Sequence, residues 1–393
     1  MEATTPKTPK KSFLKNQQRK LIAVLFIVII SGALFLTMPV YLRNALIHGY
    51  SGIYDYKIFH NRTVAAGFAH PWPLSEAYNT ATPSEVYIDS LKLLGTTGFV
   101  VIRNDSLLFE YYSDEADTNT ISNSFSMAKS IVGLLTGCAI EDGYLNNIHQ
   151  PIDQFLTDFE HLKGKGITLQ HLLTMSSGSN WDEKYSSLFS KTTKAYYGNH
   201  LEKLMQEVEI VETPGVHYRY KSGDTQLLAM VLTRATGKSL SAYASEKLWQ
   251  PMGAETPALW STDKKRGLEK AYCCFNSTAR DFARFGSLIL HLGQWDGQQL
   301  VPESYVIESI TPASFLKDEQ NKPLTFYGYQ WWILHYRGRA IPYARGLHGQ
   351  YIFVLPAEKA VIVRLGHERS DVQIHNHPLD VYSWVNMGLE LLE

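Results

Sequence analysis

Residues Leu21 to Val40, LIAVLFIVIISGALFLTMPV, carry no charged side chain. Helical residues rise ~1.5 Å each, so this run reaches across the ~30 Å hydrocarbon core of a bilayer. Before it stand Lys7, Lys10, Lys11, Lys15, Arg19 and Lys20 against Glu2 alone; after it only Arg43 is charged before Asp55. The positive-inside bias keeps the amino end in the cytoplasm and sends the rest of the chain across the membrane. The competing reading is a cleaved signal peptide. Its apolar region is ordinarily about 7–15 residues long and ends in a small-x-small site, and MPVYLRN offers none. The expected division is a basic cytoplasmic tail (1–20), a membrane anchor (21–40), a connecting segment (41–90) and an extracytoplasmic body (91–393). The location expected is the inner (cytoplasmic) membrane, crossed once.

The body reads as globular. Of the chain's 393 residues, 45% are hydrophobic and 19% charged, and the formal net charge of -1 creates no field that would draw nucleic acid. Three cysteines are too few for a disulfide framework, and neighbours such as Cys273 and Cys274 rarely bridge each other, so all three are expected to be reduced or buried. No metal is expected: His375-Asn-His377 has no Asp or Cys at ligand spacing, and a surface turn before Pro378 accounts for it. Residues 41–90 show no clear period and are expected to wrap over the body.

Phe99–Arg103 and Leu107–Tyr112 flank Asn104-Asp105-Ser106, which predicts a β-hairpin. Helical signals follow at 126–141, 169–176, 198–209, 225–236, 239–249 and 277–293. Strand signals return at 329–335, 350–355 and 360–365, and an amphipathic segment over 381–392 closes the chain. Strands at both ends with helices between predict an α+β fold: one antiparallel sheet built from the two ends, flanked by helices, with a mainly helical region inserted over about 145–310.

The body holds one chemically suggestive helix start, SFSMAKSIVGLL from Ser124 to Leu135. Ser-x-x-Lys occurs four times in the chain, but only Ser126 opens a segment with a buried stripe, Ile131, Leu134, Leu135 and Cys138. A residue at a helix start keeps a free backbone N–H, and the helix dipole favours developing negative charge there. Lys129 falls one turn on, on the same face as Ser126. Its amine can take the serine proton only when neutral, so the site must pull its pKa below about 10.4. The plain alternative is a capping serine beside a solvated lysine. Two further segments favour chemistry. Tyr220-Lys221-Ser222 sits in a short loop before a helix that Ser222 or Asp224 could cap and Gly237 could end. His348 stands at the mouth of a predicted strand, whose edge N–H groups could complete an oxyanion site.

With these segments in this order, the chain resembles the serine β-lactamase and penicillin-binding superfamily, in its class C and esterase-like branch. Within it the chain is most similar to the 6-aminohexanoate-dimer hydrolase-like proteins. The resemblance rests on SFSMAKSIVGLLTGCAIEDGYL, ITLQHLLTMSSGSNWDE, PGVHYRYKSGDTQLLAMVLTRATGKSLSAYASEKLWQPMG, TARDFARFGSLILHLGQWDGQQLVP and GLHGQYIFVLPAEKAVIVRLG, and spans about residues 85 to 390. It implies a β-lactamase/transpeptidase-like fold. It makes Ser126 the acylated nucleophile, with Lys129 and Tyr220 sharing acid–base duty. The N–H groups of Ser126 and Gln350 form the implied oxyanion hole. Ser222, His348, Gly349 and Trp181 are implied in the substrate cleft, where Tyr185, Tyr196, Tyr197, Trp331 and Trp332 are further aromatic candidates. Leu347-His348-Gly349 takes the place of the usual Lys-Thr-Gly triplet, so the lysine that normally faces a substrate carboxylate is missing.

The function expected is therefore a membrane-anchored serine hydrolase that cleaves a small ester or amide without a cofactor. A penicillin-binding or sensor-type protein that acylates at Ser126 with little turnover is the alternative. An envelope protein with a dead site is the third reading, and the intact Ser126, Lys129 and Tyr220 argue against it.

Overall fold

The computed structural model describes residues 10–393, and the start of the expected basic tail lies outside the described residues. The named helices are α1 (Lys10–Thr37), α2 (Val40–His48), α3 (Met127–Glu141), α4 (Lys191–Tyr197), α5 (Ser222–Thr236), α6 (Ala279–Leu290) and α7 (Leu379–Leu391). The named strands are β1 (His60–Val64), β2 (Thr96–Arg103), β3 (Ser106–Tyr112), β4 (Ser122–Asn123), β5 (Ala258–Thr262), β6 (Phe275–Ser277), β7 (Trp332–Tyr336), β8 (Arg339–Arg345), β9 (Tyr351–Leu355) and β10 (Ala360–Gly366).

Six antiparallel strands in the order β3-β2-β10-β9-β8-β7 form the main sheet, so the two ends of the chain meet where β2 pairs with β10. The register sets Ile362 opposite Val101 on one side and Phe353 on the other. Asn104 and Asp105 both take positive φ between the paired Arg103 and Ser106, the geometry of a tight two-residue hairpin turn. Side chains alternate between faces, and both faces are covered. Val100, Ile102, Ile352, Val361 and Val363 join the core that holds α3, α5 and α6. Phe99, Val101, Phe353 and Ile362 join a second core beneath Trp384 and Val385 of α7. Double coverage is why β9, and β10 as far as Val363, read as unbroken apolar runs rather than alternating ones.

A second sheet, β1-β5-β6-β4, draws on the connecting segment, because β1 pairs along its whole length with β5. The segment over 41–90 is thus bonded into the body, and the inserted region carries strands as well as helices. The helix expected over 239–249 is interrupted: an α-helical turn ends at Ala244 and a wider π turn runs from Ser245 to Trp249. Strand β8 carries no expectation from the sequence, because Pro342 interrupts it. The sheet tolerates that proline because β8 pairs with β9 only from Tyr343 onward. His375 and Asn376 do form a turn, but His377 is buried, its Nδ1 2.7 Å from the Tyr343 hydroxyl.

Among the described residues one helix is long and apolar enough to cross a membrane, spanning Lys15–Thr37, and none of that stretch is buried against the body. Glycine lets a helix press onto each face of the main sheet. A Cβ at Gly286 of α6 would lie 2.4 Å from Val361 Cγ1, and one at Gly388 of α7 would lie 2.1 Å from Ile362 Cδ1. Gly286→Val therefore overpacks the interface, and we expect it to destabilise the body by about 2–3 kcal/mol. Denaturant unfolding checks this; an unchanged midpoint would mean that α6 does not rest on Val361.

Candidate active site

Strand β4 aims the turn that carries Ser126. Ser124 N–H donates to Phe275 O at 2.8 Å, and Phe125 N–H to Asn123 Oδ1 at 2.9 Å. Phe125 is held at φ 43°, a conformation costly for a bulky residue. The chain then turns sharply into α3, whose residues Met127 to Ala139 are all buried. Ser126 stands at the mouth of this helix, half-buried, and its side chain makes no capping hydrogen bond.

The Ser126 hydroxyl instead meets Lys129. The lysine Nζ is 2.8 Å from Ser126 Oγ and donates to Tyr272 O, also at 2.8 Å. Lys129 is 1% exposed. Burial pulls its amine down to about 8, while the Glu183 carboxylate acts to raise it. Its Nζ lies 5.1 Å from the centre of the Tyr220 ring. Burial raises the Tyr220 phenol well above its ordinary range, and a hydrogen bond with Ser126 acts to lower it, as do Arg345 and Arg369. Tyr220 is braced by Trp332, ring centres 5.5 Å apart. Ser126, Lys129 and Tyr220, from two distant segments, therefore converge.

A pocket of about 250 Å³ opens beside Ser126. Its lining includes Ser222, Tyr272, Cys273 and Leu347, the tyrosines Tyr185, Tyr196 and Tyr197, and Ala45, Gly49, Tyr50 and Ser51. Ser222 is the first residue of α5 rather than its cap. Its N–H donates to Glu183 Oε2 at 2.8 Å and its hydroxyl donates to Glu183 Oε1. The same carboxylate accepts from Trp181 Nε1 at 3.0 Å and from the Tyr185 hydroxyl. Glu183 is the functional neighbour that sequence reasoning left without a role, although it ends the quoted SSGSNWDE stretch. Trp181 packs beneath Gly223, out of the pocket wall, and Trp331 and Trp332 are likewise core residues.

The segment after β8 departs from expectation. Gln350 is fully buried and folds inward: its Nε2 donates to Gly366 O at 2.6 Å and its carbonyl accepts from Gly346 N–H at 2.7 Å. His348, at φ 60°, turns its Nε2 to within 2.8 Å of Ser51 O. Gly349 is buried behind it. Only Leu347 of this group reaches the pocket. Arg364 fixes the turn from below, donating to His348 O and Gly349 O at 2.9 Å each, and to Glu368 O and Leu94 O. Among the described residues, neither Ser126 N–H nor Leu347 N–H has a protein acceptor.

All three cysteines are buried, as expected, but two of them are not reduced. Cys273 and Cys274 are joined by a disulfide and only Cys138 is free. The bridge sits directly after the carbonyl that holds Lys129, in a loop pinned by Trp260 Nε1 to Cys273 O at 3.1 Å. Among the described residues no cluster of His, Cys, Asp or Glu could hold a metal ion.

The Beta-lactamase family model matches residues 87–376. A 6-aminohexanoate-dimer hydrolase from Paenarthrobacter ureafaciens is 26% identical over 69% of this chain and 72% of its own length. A teichoic acid D-alanine hydrolase from Staphylococcus aureus is 26% identical over 54% of each chain, so this chain spans about half of that relative. A solved Bacillus anthracis structure, provisionally named a 6-aminohexanoate-dimer hydrolase, superposes with a TM-score of 0.75 at 23% identity, over 91% of this chain and 98% of its own. That likeness extends the shared fold over nearly the whole described chain. With the antiparallel sheet, the helical insertion and the matched region in agreement, the chain belongs to the beta-lactamase family of hydrolases.

Proposed function

We propose that this protein is a membrane-anchored serine hydrolase that cleaves an ester or amide through an acyl intermediate on Ser126. The observation that carries the reading is the buried Lys129 amine, drawn down to about 8, with its Nζ 2.8 Å from Ser126 Oγ. When the amine is neutral, the same contact runs the other way and the serine hydroxyl donates to it. Roughly a tenth of the molecules hold that form at pH 7, enough for a general base near its working pH.

Attack then proceeds in balance. Ser126 Oγ bonds to the substrate carbonyl carbon as its proton passes to Lys129. The carbonyl pair moves onto oxygen, and this oxyanion sits between the N–H groups of Ser126 and Leu347. Leu347 replaces Gln350 in this role because it alone of the turn borders the pocket. The pair returns, the bond to the leaving oxygen or nitrogen breaks, and Tyr220 passes the leaving group a proton that Lys129 replenishes. Water then attacks the acyl carbon by the same route and frees Ser126. Arg345 and Arg369 favour the anionic stages, since both act to stabilise negative charge at Tyr220. The apolar anchor, the positive-inside bias and the exposed α1 support an extracytoplasmic body tethered to the cytoplasmic membrane.

Ser126→Ala is expected to abolish turnover of short esters and amides, together with labelling by a fluorophosphonate probe, in a protein that melts normally. Hydrolysis undiminished in that variant would remove the proposal. Stable labelling of the native chain without product release would instead favour the acylating sensor.

The kcat/KM for an uncharged ester should rise with pH through about 8 as Lys129 loses its proton. Glu183 holds that pKa up, so Glu183→Gln should move the rising limb to lower pH. A limb that stays put or moves up would contradict the assignment.

Arg364→Lys cannot reach all the carbonyls that the guanidinium spans, so the Leu347 turn should loosen. We expect kcat to fall roughly tenfold or more, as when an oxyanion donor is displaced, with KM changed less. Unaltered kcat would separate the turn from the chemistry.

A further inference from the structure

The wall of the pocket nearest the membrane helix is built by the membrane helix's own continuation. The apolar span ends at Thr37, and α2 begins at Val40 after Pro39. Helix α2 is seated on α4: Asn44 Nδ2 donates to Tyr197 O at 3.0 Å, and the Tyr197 hydroxyl donates to Gly49 O at 2.8 Å. Ala45, Gly49, Tyr50 and Ser51 then form one side of the pocket beside Ser126. Ser51 O is bound to the His348 ring, which packs on Phe125, the residue before the nucleophile. Between Thr37 and Ala45 the chain can extend no more than about 20 Å. The active-site wall therefore lies within reach of the lipid headgroups.

Apolar side chains stand exposed on two segments that contribute to the pocket lining. Leu46 is 51% exposed, Ile47 58% and Tyr50 59% at and just after α2; Leu188 is 38% and Phe189 71% exposed in the loop before α4. In water each would be a cost, whereas at a bilayer surface each buries apolar area. Tyr50 and Leu188 also line the pocket, so the apolar rim continues into it.

We propose that this rim rests in the outer surface of the bilayer, and that the substrate is an amphiphilic ester or amide drawn from the membrane. Its apolar tail stays among the lipids along Tyr50 and Leu188, while its carbonyl reaches Ser126. The bilayer is the occupant because the same chain is anchored there eight residues before Ala45 (residues 38 to 45). The inference rests on the membrane-anchored hydrolase reading above and adds the substrate class.

The test uses the full chain in phosphatidylcholine vesicles with two esters sharing one nitrophenyl leaving group: a water-soluble butyrate and a vesicle-resident palmitate. Ile47→Glu and Phe189→Glu lie on the rim, outside the pocket lining. Each should lower kcat/KM for the palmitate at least tenfold and leave the butyrate within twofold. Equal loss on both esters, or no loss on either, overturns the proposal. A second readout needs no turnover. Cys138 is buried and Cys273 and Cys274 are bonded together, so Phe189→Cys offers a single accessible thiol for a nitroxide. Relaxation by dissolved oxygen exceeding that by an aqueous nickel chelate supports docking, and the reverse overturns it. A lipid-shielded nitroxide in a protein that cleaves neither ester would uphold the docked rim and remove the hydrolase reading instead.

Discussion

A lysine amine enclosed by protein, one turn from a serine hydroxyl, is the constraint around which this molecule is arranged. Burying a charged ammonium without a counter-ion is costly, so the group sheds its proton more readily than in water. Among the described residues no carboxylate touches Lys129; its hydrogen-bond partners are the Ser126 hydroxyl and the Tyr272 carbonyl. The enclosure is built by helix α3, which is buried along nearly its whole length. A helix can be covered on all sides only inside a body with more than one layer, and α5, strand β8 of the main sheet and the helix over Glu303–Ser309 supply those layers. The tryptophan-pinned loop after β5 then holds the Tyr272 carbonyl in place. Glu183 sets the other limit: it anchors Ser222 and Tyr185 and keeps enough negative charge nearby to stop the amine falling further.

The pocket beside this pair is assembled from pieces far apart in the chain: residues 45–51, 125–126, 185–197, 222, 272–273 and 347. Each piece is tied to a rigid element. The 45–51 wall is bonded to α4, the Ser126 turn to β6, and the Leu347 turn to Arg364 of β10. Such anchoring suits a site whose donors must already point at the place where charge develops. It also makes the segment just after the long apolar helix part of the pocket wall rather than a tether.

What could be seen in the sequence follows from how local its cause is. Ser126 and Lys129 share one helical turn, so their meeting is a matter of helix geometry, and the hydrophobic stripe behind them marked the helix. The hairpin of β2 and β3 was visible because Asn104 and Asp105 tolerate the positive φ that its turn needs. Features set by distant partners were not visible. The family resemblance implied Gln350 as an oxyanion donor, but the bonds from Arg364 and Gly366 hold residues 347–350 in a tight turn in which only Leu347 borders the pocket. Trp181 looked like a cleft aromatic, yet Gly223 leaves it a slot beneath α5. Helix α2 and strand β1 lay in a segment with no period, because their partners, α4 and β5, are more than a hundred residues away. The bond between Cys273 and Cys274 runs against the expectation for adjacent cysteines, and no residue around them announces it.

The ionisation of Lys129 itself is the most direct test of this account. Lysine side chains labelled with carbon-13 at Cε can be followed by NMR as pH is raised, and the Lys129 resonance identified by its loss in Lys129→Arg. The account predicts a midpoint for that resonance at about 8, well before the exposed lysines titrate. A midpoint shared with the exposed lysines would mean that the amine stays charged at working pH, and that Ser126 has no base beside it.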